Sequence, residues 1–253
     1  GILVLTVVLA IGGIRGDFKH STRPITISNA GDYVKSPNEI YLVLNTPFTF
    51  IRTMSVKGLK KMEYYKEYAL EAIYTPVHTP DPANHFQKKN VVLILLESFG
   101  KEAVGFYNKD LDNGTYKGYT PFLDSLAGQS KVFWNSFANG RKSIDAIPSC
   151  IASIPSGFNP FVLTPYVSDT IGGLAHALKN EGYHTSFFHG APNGSMGFAA
   201  IIKLLGIAHY YGKNEFNNDK EYDGIWGIWD EPFFQFFDKK LSSFQQPFFS
   251  TIF

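Results

Sequence analysis

Residues 91–96, VVLILL, are apolar without a break, and the run stops on Glu97, followed by Ser98, Phe99 and Gly100. A strand with one wet face alternates apolar and polar residues, whereas a short unbroken run is expected of a strand covered on both faces. Such strands belong to parallel sheets lying between helices, so this stretch constrains the fold more than any other. The segments that follow fit the same plan. TPFLDSLAGQ reads as a helix, with Thr120 as N-cap and Pro121 in its first position. KVFWNSFAN reads as a second strand, and SIDAIPSCIASI as a short helix interrupted near Pro148. DTIGGLAHALKNEGY predicts a helix closed by Gly182, feeding a strand in YHTSFFHG. GFAAIIKLLG and DEPFFQFFDKKLSSF read as helices and QPFFSTIF as the last strand. Strands alternating with helices predict an α/β domain with a mainly parallel sheet covered by helices.

This pattern starts near Asn90. TPVHTPDPANHFQKKN (75–90) holds three prolines and no apolar period, so it reads as a linker. Upstream, residues 54–74 carry Leu59, Met62, Tyr65, Ala69 and Ala72 at helical spacing, with Lys57, Lys60 and Lys61 as a basic group. That group suits either anionic headgroups or a solvated helix face. Residues 15–50, with Pro24, Pro37 and Pro47, read as an extended linker lying on another surface. The first fourteen residues carry no charge before Arg15, short of the roughly 20 needed to span a bilayer. The outer end of a truncated membrane helix, a signal-sequence core and a buried element compete there. No basic stretch precedes it, which favours the membrane helix over the signal. The opposite end, QPFFSTIF, stops inside an expected buried strand, so the chain reads as a fragment at both ends.

Of the residues, 44% are hydrophobic, enough for one large core, and the net charge of +1 is spread along the chain. That excludes the basic footprint of a nucleic-acid-binding protein. The single cysteine, Cys150, excludes an intrachain disulfide and reads as a buried, inert thiol in an apolar run.

Ligands of open α/β sheets gather at the carboxyl ends of the strands. Three polar places fall there: Glu97, the segment NGRKSID, and His189. In the second, Ser143 stands where a helix begins, so free N–H groups and the positive helix end favour an anion, with Arg141 and Lys142 adding charge. By itself that serine could equally be a cap. Glu97 at a neighbouring strand end offers a second oxygen ligand for a divalent cation, which would lower the pKa of the hydroxyl and neutralise a phosphate ester. Two ligands do not complete a site, since Mg²⁺ takes about six oxygens and catalytic Zn²⁺ about three protein ligands. His176, His184 and His209 read as packing or surface residues, while His189 divides between a strand-end residue and a substrate contact. Asp230 in GIWGIWDEPFF reads as a helix cap, with Trp226 and Trp229 as an alternative substrate-facing rim.

NVVLILLESFGKE, TPFLDSLA, FANGRKSIDAIPSCIASIPS, FFHGAPNGSMGF, WDEPFF and QPFFSTIF occur in the order seen in the sulfatase-like branch of the alkaline phosphatase superfamily. The chain most resembles the membrane-anchored lipoteichoic acid synthase-type phosphoglycerol transferases. The resemblance implies residues 1–14 as the end of a transmembrane helix, 15–89 as a juxtamembrane linker with a helix, and 90–253 as the N-terminal part of a sulfatase-like catalytic domain. It also implies Glu97 as metal ligand, Ser143 as nucleophile and metal ligand in place of the family's threonine, and Arg141, Lys142 and His189 as substrate contacts. Family members move a head group from a membrane lipid donor through a covalent enzyme ester to an envelope glycan or lipid acceptor, using Mn²⁺ or Mg²⁺, on the outer side of the cell membrane.

The chain departs from the family where an aspartate, a tryptophan and an arginine grip the glycerol phosphate; those places hold Ala191, Met196 and Phe198. The family's remaining metal ligands, an Asp–His pair, and a further active-site histidine are expected downstream of Phe253. Neither Ser143 nor Cys150 fits the C/S-x-P-x-R motif of true sulfatases, and one cysteine departs from the disulfide-bearing phosphoethanolamine transferases. A sulfatase-like phosphodiesterase or sulfuric ester hydrolase, and an inactive membrane-tethered binding domain, remain as alternatives.

Overall fold

The computed structural model describes residues 1–15, 30, 33–34, 39–54, 63–83, 85–157 and 159–253. The helices are α1 (Ile2–Arg15), α2 (Ile40–Val43), α3 (Thr46–Thr53), α4 (Glu67–Ile73), α5 (Pro121–Ala127), α6 (Ser143–Ala152), α7 (Leu174–Asn180), α8 (Phe198–Leu204), α9 (Lys213–Phe216) and α10 (Asp230–Leu241). The strands are β1 (Val91–Ile94), β2 (His184–Phe188), β3 (His209–Tyr211) and β4 (Phe248–Ile252). They form one sheet in the order β1-β4-β2-β3, and every pairing is parallel. The expected parallel α/β architecture is therefore present. The register aligns Ile94, Ile252, Phe188 and Tyr211, so all four strands end in one row.

The strand order corrects two expectations. The unbroken apolar run does not mark a strand covered on both faces: β1 lies at the sheet edge, with Val91, Val92 and Ile94 exposed. The buried strands are β4 and β2, although they carry Ser250, Thr251, Thr185 and Ser186. Ser186 and Ser250 pair their hydroxyls across the ladder at 2.6 Å, whereas the buried Thr251 hydroxyl has no partner among the described residues. Second, residues 131–139 form no strand; Phe133, Trp134 and Phe137 are exposed, and Trp134 stacks on Phe106 at 5.5 Å. Aromatic residues gave that stretch its strand-like composition, but no neighbouring strand supplies a ladder. The third strand is instead His209–Tyr211, three residues too short to show a period.

Alternate residues of β2 feed two cores. Phe187 joins Phe249, Phe198, Ile201, Ile202, Ile147 and Ile151 on one face, while Phe188 joins Ile252, Phe233 and Phe237 on the other. Each such buried aromatic contributes about 1.5–3 kcal/mol by leaving water. Ala30, Val34 and Ile40 are buried in the first core, so part of the stretch expected to be linker packs into the same core as α6 and α8. Tyr41 adds a hydroxyl contact of 2.6 Å to Ser168.

Helix ends follow local chemistry. After α7, Gly182 adopts φ +85° and donates to the Lys179 carbonyl, while Tyr183 donates to Leu178, the Schellman arrangement expected of that glycine. Helix α6 runs unbroken through Pro148, which corrects the expected interruption; the Ser149 hydroxyl donates to the Asp145 and Ile154 carbonyls beside it, and Cys150 is exposed rather than buried as expected. Asp230 is the first helical residue of α10, not its cap; Trp229 holds the cap position.

Within the helix expected over 54–74, the described residues form α4, and Leu59, Met62, Lys57, Lys60 and Lys61 lie outside the described residues. The apolar N-terminus is helical, but at about 1.5 Å per residue its 14 residues fall short of a hydrocarbon core about 30 Å thick. Among the described residues, no helix is long and apolar enough to cross a membrane.

Candidate active site

Because all four strands point the same way, Glu97 and His189 both follow the carboxyl row of the sheet. β4 lies between their strands, which separates β1 from β2 by about 10 Å at the usual strand spacing. Leu95 donates to the Ile252 carbonyl at 2.9 Å, carrying the β1 pairing one residue further. The chain then turns sharply: Ser98 adopts φ 51° and its hydroxyl donates to Glu97 Oε1 at 2.9 Å. Glu97 is exposed at that turn, so its carboxylate is open to a ligand.

Ser143 opens α6. Lys142 before it is extended, and its carbonyl accepts the first-turn N–H of Asp145 at 2.9 Å. Ser143 is half-buried, and its hydroxyl makes no hydrogen bond among the described residues, so it does not act as the cap. Arg141 and Lys142 are exposed beside it. A hydroxyl at this point faces the unpaired N–H groups of the first turn, which favour negative charge. Two residues on, the buried side chain of Asp145 leaves Oδ1 without a partner. It crowds the preceding loop: a Cβ on Gly140 would come within 2.4 Å of its carboxylate. Asp145 is not singled out by the sequence, because an unmet bonding capacity has no sequence signature.

His189 continues β2, its N–H donating to the Tyr211 carbonyl at 3.0 Å. Its ring is buried between Phe198 (5.0 Å), Phe253 (5.8 Å) and Phe187 (6.4 Å), with Nδ1 3.4 Å from the Tyr210 hydroxyl. Burial pushes its pKa down to about 4, so the imidazole is neutral at pH 7. The sequence did not mark Phe198 and Phe253 as its neighbours; Phe198, at a position where the resemblance implied a polar residue, walls the histidine with an aromatic edge. Ala191, at another such position, is buried too.

No hydrogen bond, ion pair or ring contact joins Glu97, Ser143 and His189 among the described residues. Within the same residues, no group of three or more His, Cys, Asp or Glu side chains is placed to hold a metal ion. Glu97 and Ser143 offer the oxygen donors that a hard divalent cation prefers, but fewer than it needs.

The sulfatase family model matches residues 89–253, well over half of the chain. Lipoteichoic acid synthase 1 of Bacillus subtilis (strain 168) is 27% identical over 193 residues, covering 71% of this chain and 29% of that protein. Lipoteichoic acid synthase 2 of the same organism is 26% identical over 166 residues, covering 64% and 25%. The chain thus aligns to less than a third of the length of either relative. Among solved structures, a protein in the alkaline phosphatase superfamily from Vibrio parahaemolyticus superposes with a TM-score of 0.55 at 25% identity, covering 66% of this chain and 40% of that one. The lipoteichoic acid synthase LtaP from Listeria monocytogenes shares the fold with a TM-score of 0.52 at 23% identity, covering 65% and 40%. With the parallel sheet, these matches establish that the chain belongs to the sulfatase family, within the alkaline phosphatase superfamily and related to lipoteichoic acid synthases.

Proposed function

We propose that this chain is the N-terminal part of an outward-facing, membrane-anchored phosphotransferase that moves a phospho-head group from a lipid donor to an acceptor alcohol. The observation that carries the reading is the unpartnered hydroxyl of Ser143 at the start of α6, flanked by exposed Lys142 and Arg141, inside the segment matched by the sulfatase family. The relatives named as lipoteichoic acid synthases support a lipid-linked phosphodiester as the donor class.

In the first step, the Ser143 oxygen attacks the donor phosphorus, and the bond to the lipid alkoxide breaks. The serine proton leaves to a base, and the alkoxide takes a proton as it departs. An acceptor hydroxyl then attacks the phosphoserine in the same sense and regenerates Ser143. The α6 N–H groups, with Lys142 and Arg141, favour the added negative charge on phosphorus. Glu97 and Ser143, together with ligands from downstream of Phe253, would hold Mn²⁺ or Mg²⁺, which lowers the hydroxyl pKa and neutralises phosphate charge. Neutral His189 contributes a hydrogen-bonding nitrogen on the β2 side of the site. If water replaces the acceptor, the same residues hydrolyse a phospho- or sulfo-ester, a second reading that the sulfatase match supports.

In the full-length protein, Ser143→Ala is expected to abolish both turnover and the phosphoseryl intermediate trapped from labelled donor. Undiminished turnover in that variant would overturn the assignment.

A further inference from the structure

Helix α6 has two residues that could serve as its cap. Serine is among the strongest N-cap residues, so the intrinsic preference is for Ser143 to cap and to spend its hydroxyl on a first-turn N–H. The structure shows the other start. Lys142 is the N-cap, with φ −129° and ψ 144° and no side-chain bond, and Ser143 is the first helical residue. The N–H groups of Arg141, Lys142, Ser143 and Ile144 make no hydrogen bond among the described residues. This start leaves the Ser143 hydroxyl free for phosphorus, but it has to be held against the better cap.

Asp145 stands at the third helical position, where the acid of a capping box reaches back to the N–H of the N-cap. Counting from Lys142 puts this acid there; counting from Ser143 would put Ala146 there. Asp145 is only 7% exposed, and its Oδ1 has no partner, so the oxygen has lost its water without a replacement. The preceding loop lies against it. A Cβ on Gly140 would fall 2.4 Å from Asp145 Oδ2 and 2.5 Å from its Cβ. Gly140 is not left-handed, so the close approach requires glycine there, and the dihedral does not. Both ends of the loop are tied down. Asn139 Oδ1 accepts the Ser156 N–H, while the Ser149 hydroxyl joins the Asp145 and Ile154 carbonyls at 2.8 and 3.0 Å. Between those ties, an unmet buried acceptor sits beside a run of unmet backbone donors.

We propose that Asp145 is a positioning residue for the nucleophile: with a phosphoryl group seated at Ser143, its carboxylate accepts the Lys142 N–H, fixes the start of α6 at Lys142 and keeps the Ser143 hydroxyl out of the cap. The proposal rests on the reading of Ser143 given above. Asp145 does not act on the serine directly, because residues two apart on a helix do not face each other. It acts through the loop. Engaging Lys142 leaves the Ser143 and Ile144 N–H groups to the phosphoryl oxygens.

The test compares Asp145→Asn with Asp145→Ala in the full-length protein. The asparagine oxygen still accepts an N–H, whereas alanine has no acceptor. In Asp145→Ala the single-turnover rate of phosphoseryl formation is expected to fall about tenfold or more, with donor KM changed less than about twofold. Asp145→Asn should stay within about threefold of the unsubstituted rate. Amide hydrogen exchange gives a readout independent of turnover. With orthovanadate bound, exchange at the Lys142 amide should slow about tenfold or more in the unsubstituted protein and in Asp145→Asn, but not in Asp145→Ala. If Asp145→Ala does not fold, Asp145→Leu, close in volume to asparagine and without an acceptor, takes its place. An unchanged phosphoseryl rate in the variant without an acceptor, an equal loss in Asp145→Asn, a loss carried by KM alone, or unslowed exchange at Lys142 each overturns the proposal. Turnover that persists in Ser143→Ala overturns the nucleophile reading instead, so the two failures are told apart.

Discussion

His189 Nδ1 stands 3.4 Å from the Tyr210 hydroxyl, one residue beyond the end of β2, with the Phe198 ring packed edge-on at 5.0 Å. The long polar contact gives the imidazole little compensation for lost water, so burial dominates and holds its pKa at about 4. The folded protein therefore favours neutral His189. Its contribution to stability is complete above the unfolded value of about 6.5 and is lost as pH falls toward 4. Over that interval the loss is about 3 kcal/mol. Urea midpoints measured at pH 7.5 and 4.5 should converge in His189→Gln relative to the unsubstituted protein; an unchanged pH slope would refute the buried-imidazole account. His184 is lowered for the same reason, aided by His209 stacked on it at 4.4 Å, and adds to the acid sensitivity in the same direction.

The buried hydroxyl pair of β2 and β4 makes a separable prediction. Ser250→Ala leaves the Ser186 hydroxyl without its 2.6 Å partner and is expected to cost about 1–3 kcal/mol. Replacing both serines with alanine should recover much of that loss, because no unpaired polar group then remains. A double-mutant cycle by chemical denaturation reads the coupling, and additive losses would contradict it.

Gly140 connects the loop to the nucleophile. A methyl group there enters the space of the Asp145 carboxylate, so Gly140→Ala should displace Lys142 and Ser143. We expect the rate of phosphoseryl formation to fall about tenfold or more, with thermal stability reduced much less in relative terms. Wild-type rates in that variant would mean that the loop does not set the serine's position.

Glu97 is exposed and, among the described residues, its side chain is bonded only to Ser98, so replacing it should not unfold the sheet. In the full-length protein, Mn²⁺ should raise Tm through binding to the native state, and Glu97→Gln should remove most of that rise. Chelator treatment of the unsubstituted protein should reproduce the variant. A metal-induced shift that survives Glu97→Gln would exclude Glu97 from the cation site.

The parallel α/β plan was legible because it rests on local signals: apolar runs of strand length, Gly182 closing α7, and Pro121 opening α5. Strand identity was less so. KVFWNSFAN had strand composition and found no partner, while HYY at 209–211 had no period and found one in β2. Residue content measures readiness to pair, whereas pairing itself depends on a neighbour distant in the chain.

The sequence by itself determined the family, the direction of the strands and the chemical types of the candidate residues: a carboxylate at 97 and an imidazole at 189 after strands, and a hydroxyl at 143 at a helix start. Tertiary structure decided their environments. Among the described residues it put the apolar β1 at the edge and the hydroxyl-bearing β2 and β4 inside, where Ser186 and Ser250 satisfy one another across the ladder while the Thr251 hydroxyl has no partner. It left Glu97 exposed and buried His189 against Phe198 and Phe253. Burial and electrostatics are sums over neighbours brought from far along the chain, so no local stretch of residues could specify them.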